Sequence, residues 1–177
     1  NRTMLPDNQY HLMDIENRQE VLAVIINVQP DSVIHTAAMT NVDDCELNRE
    51  ACYRANVEAV KYIVEACEQV KAHLVHLSTD FIFDGSHGPL SEDAEPGPVN
   101  YYGESKLLAE DIVRKANLRW AIARTVLVYG VVQGLQRSNI ILWVKGNLEQ
   151  KKELQIVDDQ WRTPTLAEDL AMGCWLL

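Results

Sequence analysis

The sequence predicts an α/β fold: a doubly wound parallel sheet covered by helices. Three observations point there. Apolar runs of strand length alternate along the chain with segments of helical period. The runs are apolar on both faces, as in strands buried between two layers of helix. They also end in small or polar residues, at the rim where open α/β sheets hold their ligands. Crossovers in such a sheet are right-handed.

The elements follow in order. Tyr10–Met13, "YHLM", reads as a short strand, and Asp14 as the cap of a helix that places Val21, Leu22, Ile25 and Val28 on one side. "QPD" breaks that helix. Ser32–Ala38, "SVIHTAA", is a buried strand ending in small residues. The polar loop "MTNVDDCE" leads to one helix of about 20 residues ending near Val70. His73–Thr79, "HLVHLST", is the next strand. The long loop "DFIFDGSHGPLSEDAEPGPVN" is rich in Gly, Pro and acids, and loops of that length are mostly functional. A helix runs from Tyr101 to Ala116, then a strand over Arg119–Thr125. A helix over Ser138–Leu148, a strand over Leu154–Val157 and a final helix from Thr165 complete the pattern.

The 177 residues suffice for one sizeable core, and 47% hydrophobic with 24% charged residues is ordinary for a globular domain. A net charge of −10 argues against nucleic acid or an anionic membrane as a partner. An anionic ligand then needs a local cation. The four cysteines, Cys45, Cys52, Cys67 and Cys174, form no CxxC pair and read as reduced thiols of a cytoplasmic protein. The five histidines do not cluster along the chain. His73 and His76 lie three apart in one strand and so face opposite ways, and no metal site is expected.

Sheets of this kind that bind a dinucleotide open with a strand, a glycine-rich turn and a helix. The chain has eight glycines and no GxGxxG or GxxGxxG. It opens in polar loop sequence before an apparent inner strand and stops within a helix. The expectation is a fold incomplete at both ends, with the strand and glycine-rich turn lying before Asn1.

"YYGESK", Tyr101–Lys106, carries the chemistry. On a helix Tyr102 and Lys106 face each other with Cβ atoms about 5–6 Å apart, while Tyr101 points about 140° away from Lys106. A phenol titrates near 10. One positive charge about 6 Å away favours the phenolate by roughly 3 kcal/mol at an effective dielectric near 20. The pair makes a general acid able to protonate a carbonyl oxygen as hydride reaches its carbon. The preceding strand ends at the ligand rim in Ser78, Thr79 and Asp80, where a hydroxyl can hold that carbonyl in line with Tyr102. The bland readings are a helix start with packed tyrosines and a strand that simply ends in hydroxyl residues. Arg162 in "DQWRTPT" is the cation best placed by sequence to grip a diphosphate bidentately, against the alternative of a surface pair with Asp158 or Asp159.

"LSTDFIFDG" followed by "YYGESKLLAE" resembles the extended short-chain dehydrogenase/reductases, and within them the dTDP-4-dehydrorhamnose reductases and their close relatives. "HTAAMTNVDDCE", "ANVEAV", "ARTVLVYG" and "DQWRTPTLAEDLA" match in the same order and extend the likeness over nearly the whole chain. The resemblance implies a Rossmann-like NAD(P)-binding domain, partial over 1–177, in which 126–177 includes parts of the substrate-binding region. It implies NADPH or NADH as cofactor, a nucleotide-sugar substrate, and Thr79, Tyr102 and Lys106 as the catalytic set. Tyr102 is then the acid, Lys106 lowers its pKa and holds the nicotinamide ribose, and Thr79 orients the sugar carbonyl. Asp14 and Ile15 match the adenine contact. Ala37, Ala38 and Met39 match the backbone beside the ribose and pyrophosphate, and Asn56 a helix position near the cofactor. Thr40, Thr79, Asp80 and Arg162 face the substrate, and the resemblance admits a homodimer. Leu127 stands where the reductases often carry a tryptophan. The regulatory beta subunit of methionine adenosyltransferase and the sugar-nucleotide epimerases and dehydratases share parts of the pattern and are the alternatives.

Overall fold

The computed structural model describes residues 10–131 and 139–177. The described residues divide into two compact units, one of His11–Arg124 and one that takes the described residues from Thr125 to Leu177.

In the larger unit, α1 (Arg18–Val28) starts at Asn17, whose side-chain oxygen accepts from the Gln19 and Glu20 amides. The expected cap, Asp14, sits one turn too early. It accepts instead from the Glu16 amide at 3.0 Å, and its own amide donates to Glu20 at 2.9 Å. The strand expected over Tyr10–Met13 is absent, and Leu12 is 87% exposed. The helix ends at Gln29 in the left-handed conformation, ahead of the "PD" that prevents its continuation.

Strands β1 (Ser32–His35) and β2 (His73–Thr79) pair in parallel, with Ser32 opposite His73 and His35 opposite His76. The order is completed by β3 (Trp120–Thr125) on the far side of β2. The central strand is the buried one: Leu74, Val75, His76, Ser78 and Thr79 are all inside. The second expected strand is shorter than "SVIHTAA" because Thr36–Ala38 leave the ladder.

The single 20-residue helix expected before Val70 is in fact three helices and a widened turn. Helix α2 (Val42–Leu47), capped by Asn41, stops at Asn48. Helix α3 (Arg49–Tyr53) follows, then a π turn over Arg54–Glu58, then α4 (Ala59–Val70). Helix α5 (Tyr101–Lys115) is capped by Asn100. Val21, Ile25, Val60, Ile63, Val64, Cys67, Leu74, Ala109 and Val113 form the core, which joins α1, α4 and α5 to β2.

In the smaller unit, β4 (Val128–Tyr129) pairs in parallel with β5 (Thr165–Leu166), flanked in sequence by α6 (Ile140–Glu149) and α7 (Ala167–Leu176). The strand expected over Leu154–Val157 is absent. Ile156 and Val157 are 55% and 63% exposed, and the ladder position beside β4 is taken by Thr165–Leu166.

Candidate active site

The site is built where β2 ends and α5 begins. After β2 the chain makes one 3-10 turn, Asp80–Ile82, which Thr79 caps by accepting from the Phe81 amide at 3.2 Å. The Thr79 hydroxyl is 3.2 Å from Asp80 Oδ1. The first turn of α5 is pressed onto that 3-10 turn at Gly103, where a Cβ would stand 2.2 Å from the Phe81 carbonyl oxygen and 3.0 Å from Pro98. No side chain fits there. This approach seats the Tyr102 ring edge-to-face on Phe81, 5.7 Å between centroids, and lets its hydroxyl hydrogen-bond Thr79. Burial pushes the phenol above its ordinary pKa; the Thr79 bond opposes that rise, while Cys45 and Asp80 add to it.

One turn further along α5, Lys106 is 4% exposed. Its Nζ donates to the Leu77 carbonyl at 2.7 Å and lies 3.3 Å from His76 Nε2. Burial brings its pKa down to about 8, against the attraction of Glu110 and Cys52. The ammonium is drawn to the backbone of β2, and the phenol's shift is upward. Tyr101 faces elsewhere: its ring lies under Arg49 at 4.9 Å, and its amide donates to Glu46.

Asn56, in the π turn, is 1% exposed, and its amide group is spent on protein. Oδ1 accepts from Met39 N at 2.8 Å. Nδ2 donates to Met39 O at 3.0 Å and to Ser105 Oγ at 2.9 Å, and Ser105 Oγ donates to Tyr102 O at 2.7 Å. The segment after β1 is thereby fastened to the helix of Tyr102. Ala37 and Thr40 are exposed there, and Ala38 and Met39 half-buried. Asp14 is exposed and Ile15 half-buried on the turn before α1, which Glu16 ties to Arg54 of the π turn at 3.2 Å. The structure thus brings Thr79, Asp80, Tyr102 and Lys106 together and links Ala37–Met39 to them through Asn56. Arg162 belongs to the other unit, where its guanidinium donates to Gln160 at 3.2 Å.

Three features were not foreseen. His35 and His76 cluster after all, as register partners with ring centroids 5.4 Å apart. Gly103 makes the close approach; a glycine inside a helix, which costs about 1 kcal/mol against alanine, was the available signal. Glu110, expected on no buried face, is 0% exposed and takes Arg124 bidentately at 2.9 and 3.1 Å and Arg114 at 2.6 Å. Burial alone would raise its pKa, but Arg124, Ser78 and Arg114 bring it below the ordinary carboxylate value.

Residues 2–177 match the family described as RmlD substrate binding domain. The spore coat polysaccharide biosynthesis protein SpsK of Bacillus subtilis is 35% identical over 161 residues, 90% of this chain and 56% of that protein. Methionine adenosyltransferase 2 subunit beta of Bos taurus is 29% identical over 94% of this chain and 50% of its own length. The chain therefore spans about half the length of these relatives. The crystal structure of dTDP-4-dehydrorhamnose reductase from Bacillus anthracis, in complex with NADP, superimposes with a TM-score of 0.86 at 32% identity, over 93% of this chain and 58% of that one. With its parallel, helix-flanked, Rossmann-like sheet, the chain belongs to the RmlD substrate binding domain family of the extended short-chain dehydrogenase/reductases.

Proposed function

We propose that the chain carries the catalytic centre of an NAD(P)H-dependent reductase acting on a nucleotide-linked 4-keto-6-deoxy sugar, of the dTDP-4-dehydrorhamnose reductase type. The observation that carries this reading is the buried group Thr79–Tyr102–Lys106 at the carboxyl end of β2. A phenol held above its ordinary pKa stays protonated at neutral pH and is therefore a donor. When bound, the nicotinamide supplies hydride to the keto carbon. Tyr102 passes its proton to the carbonyl oxygen, giving the alcohol and a phenolate that Thr79 and Lys106 stabilise. Two of the three Lys106 ammonium protons are spent on β2, which leaves one for a ribose hydroxyl. The small residues Ala37 and Ala38, in the segment after β1, suit a backbone that a cofactor approaches closely, with Asp14 and Ile15 toward its adenine. Asn56 supports that segment from inside. Thr40, Asp80 and Arg162 are assigned to the substrate.

The test is NAD(P)H consumption by the full-length protein with a dTDP-4-keto-6-deoxy sugar. One cofactor oxidised per sugar reduced supports the reductase. An epimerase or dehydratase recycles its cofactor, and a non-catalytic subunit of the methionine adenosyltransferase type turns over nothing; either result would displace this reading.

A further inference from the structure

Lys106 is an ammonium almost wholly removed from water, and such a charge persists only where acceptors replace the lost hydration. Leu77 O is one, at 2.7 Å. The second nearest group is the ring of His76, itself 1% exposed, with Nε2 at 3.3 Å. A lysine ammonium can only donate, so Nε2 must be the unprotonated nitrogen and the ring proton must sit on Nδ1. Nδ1 of His76 and both ring nitrogens of His35 are buried without a hydrogen-bond partner. An apolar pair would fill the same space between β1 and β2 without burying unpaired polar atoms, so two imidazoles here are costly for packing alone. What the His76 position gains from an imidazole is an acceptor pointing at Lys106.

We propose that His76 is a positioning residue for Lys106: its neutral Nε2 takes one ammonium proton, and His35, tilted 49° against it across the ladder, fixes the ring. The remaining ammonium proton is then aimed by two fixed bonds rather than one. The charged and titratable groups facing Lys106 are Glu110 on α5, Cys52 on α3, His76 on β2 and His35 on β1. The neutral state of both histidines matches this role, since burial and the Lys106 charge hold His35 at about 4 and His76 at about 2. The proposal rests on the reductase reading for its kinetic consequence but not for its test.

The test is a titration of the lysine side chains by NMR in the full-length protein labelled at lysine, with Lys106→Met to assign the Lys106 signal. The wild-type midpoint is expected near 8. In His76→Leu the ammonium loses an acceptor, so the midpoint moves lower, by threefold or more in proton affinity. His76→Gln, which offers an amide oxygen, restores it. His76→Phe keeps a ring without an acceptor and should behave as the leucine variant does. In turnover, the basic limb of the kcat–pH profile moves the same way, and kcat falls on the order of 10–100-fold in the leucine and phenylalanine variants. An unchanged midpoint in the apolar variants, or an equal shift in His76→Gln, overturns the proposal. So does failure of both apolar variants to fold, because that marks a structural role. If the wild type reduces no nucleotide sugar, the reductase reading falls while the titration still judges His76.

Discussion

Two tyrosines stand side by side at the start of α5, and their surroundings separate them. Tyr102 is buried against Phe81 with its hydroxyl on Thr79, while Tyr101 packs under Arg49. Tyr102→Phe removes the donor and keeps the ring, so kcat should fall about 10²–10⁴-fold with ligand binding retained. Tyr101→Phe should cost less than about tenfold. Steady-state kinetics on both variants decides; a dead Tyr101→Phe would reverse the assignment. The helical spacing of "YYGESK" made this division legible in the sequence. The direction of the Tyr102 shift was not legible, because it depends first on how deeply the ring is buried in the folded chain. Lys106 yields a second prediction. Its folded pKa, about 8, lies below the ordinary 10.5, so the unfolded chain binds the proton more tightly and stability rises with pH between those values. Below about pH 8 the buried charge costs the fold up to about 3 kcal/mol. Lys106→Met should therefore abolish activity while raising stability to urea at pH 7, with the gain shrinking toward pH 10.5. A variant less stable than wild type at pH 7 would refute this cost.

Among the elements, β2 and α5 matched their sequence reading to within a residue, because each is long, strongly patterned and bounded by its own cap or turn. The segment before Val70 did not. Its apolar residues repeat as in one helix, but Asn48 interrupts the ladder and the π turn admits Asn56 to the interior, which no periodicity announces. Nor does a pattern of apolar residues choose between Leu154–Val157 and Thr165–Leu166 as partner for β4, since strand pairing is a non-local choice. The β2–α5 junction depends on the absence of a side chain at Gly103. Gly103→Ala forces α5 off Phe81 O and should lower stability by about 1–3 kcal/mol while reducing kcat more than it alters KM. Chemical unfolding together with kinetics checks both parts. Unchanged stability would mean that the helix slides without cost.

For the molecule as a whole, the buried histidines set an acid limit. His35 and His76 stay neutral in the fold down to about 4 and about 2, whereas unfolded imidazoles protonate near 6.5. Below 6.5 the unfolded chain binds more protons, so stability falls with pH through that window. Glu110, depressed by its arginines, adds a further loss once pH drops below the ordinary carboxylate range. Thermal melts from pH 7 to 4 should show Tm declining from about 6.5 downward, and His35→Leu should flatten the decline. An equally steep slope in that variant would exclude the histidine origin. If Arg162 grips the substrate diphosphate as proposed, Arg162→Ala should raise KM for the nucleotide sugar far more than it lowers kcat. An unchanged KM would remove Arg162 from that role. The sequence singled out Arg162 by charge, in a strongly acidic chain, but could not say which unit it joins.

Arg124 does more than neutralise Glu110. Its guanidinium also lies over the Phe83 ring at 5.3 Å and donates to the Glu92 carbonyl at 2.9 Å. The stretch from Asp84 to Ser91 is therefore hung between two points that one side chain holds to α5. Its exposed residues can be exchanged, lengthened or shortened without re-registering the helix of Tyr102 and Lys106. Sequence changes can accumulate in such a stretch while Tyr102 and Lys106 stay put. A library confined to Asp84–Ser91, with Phe83, Glu92 and Arg124 left untouched, therefore leaves the start of α5 in place.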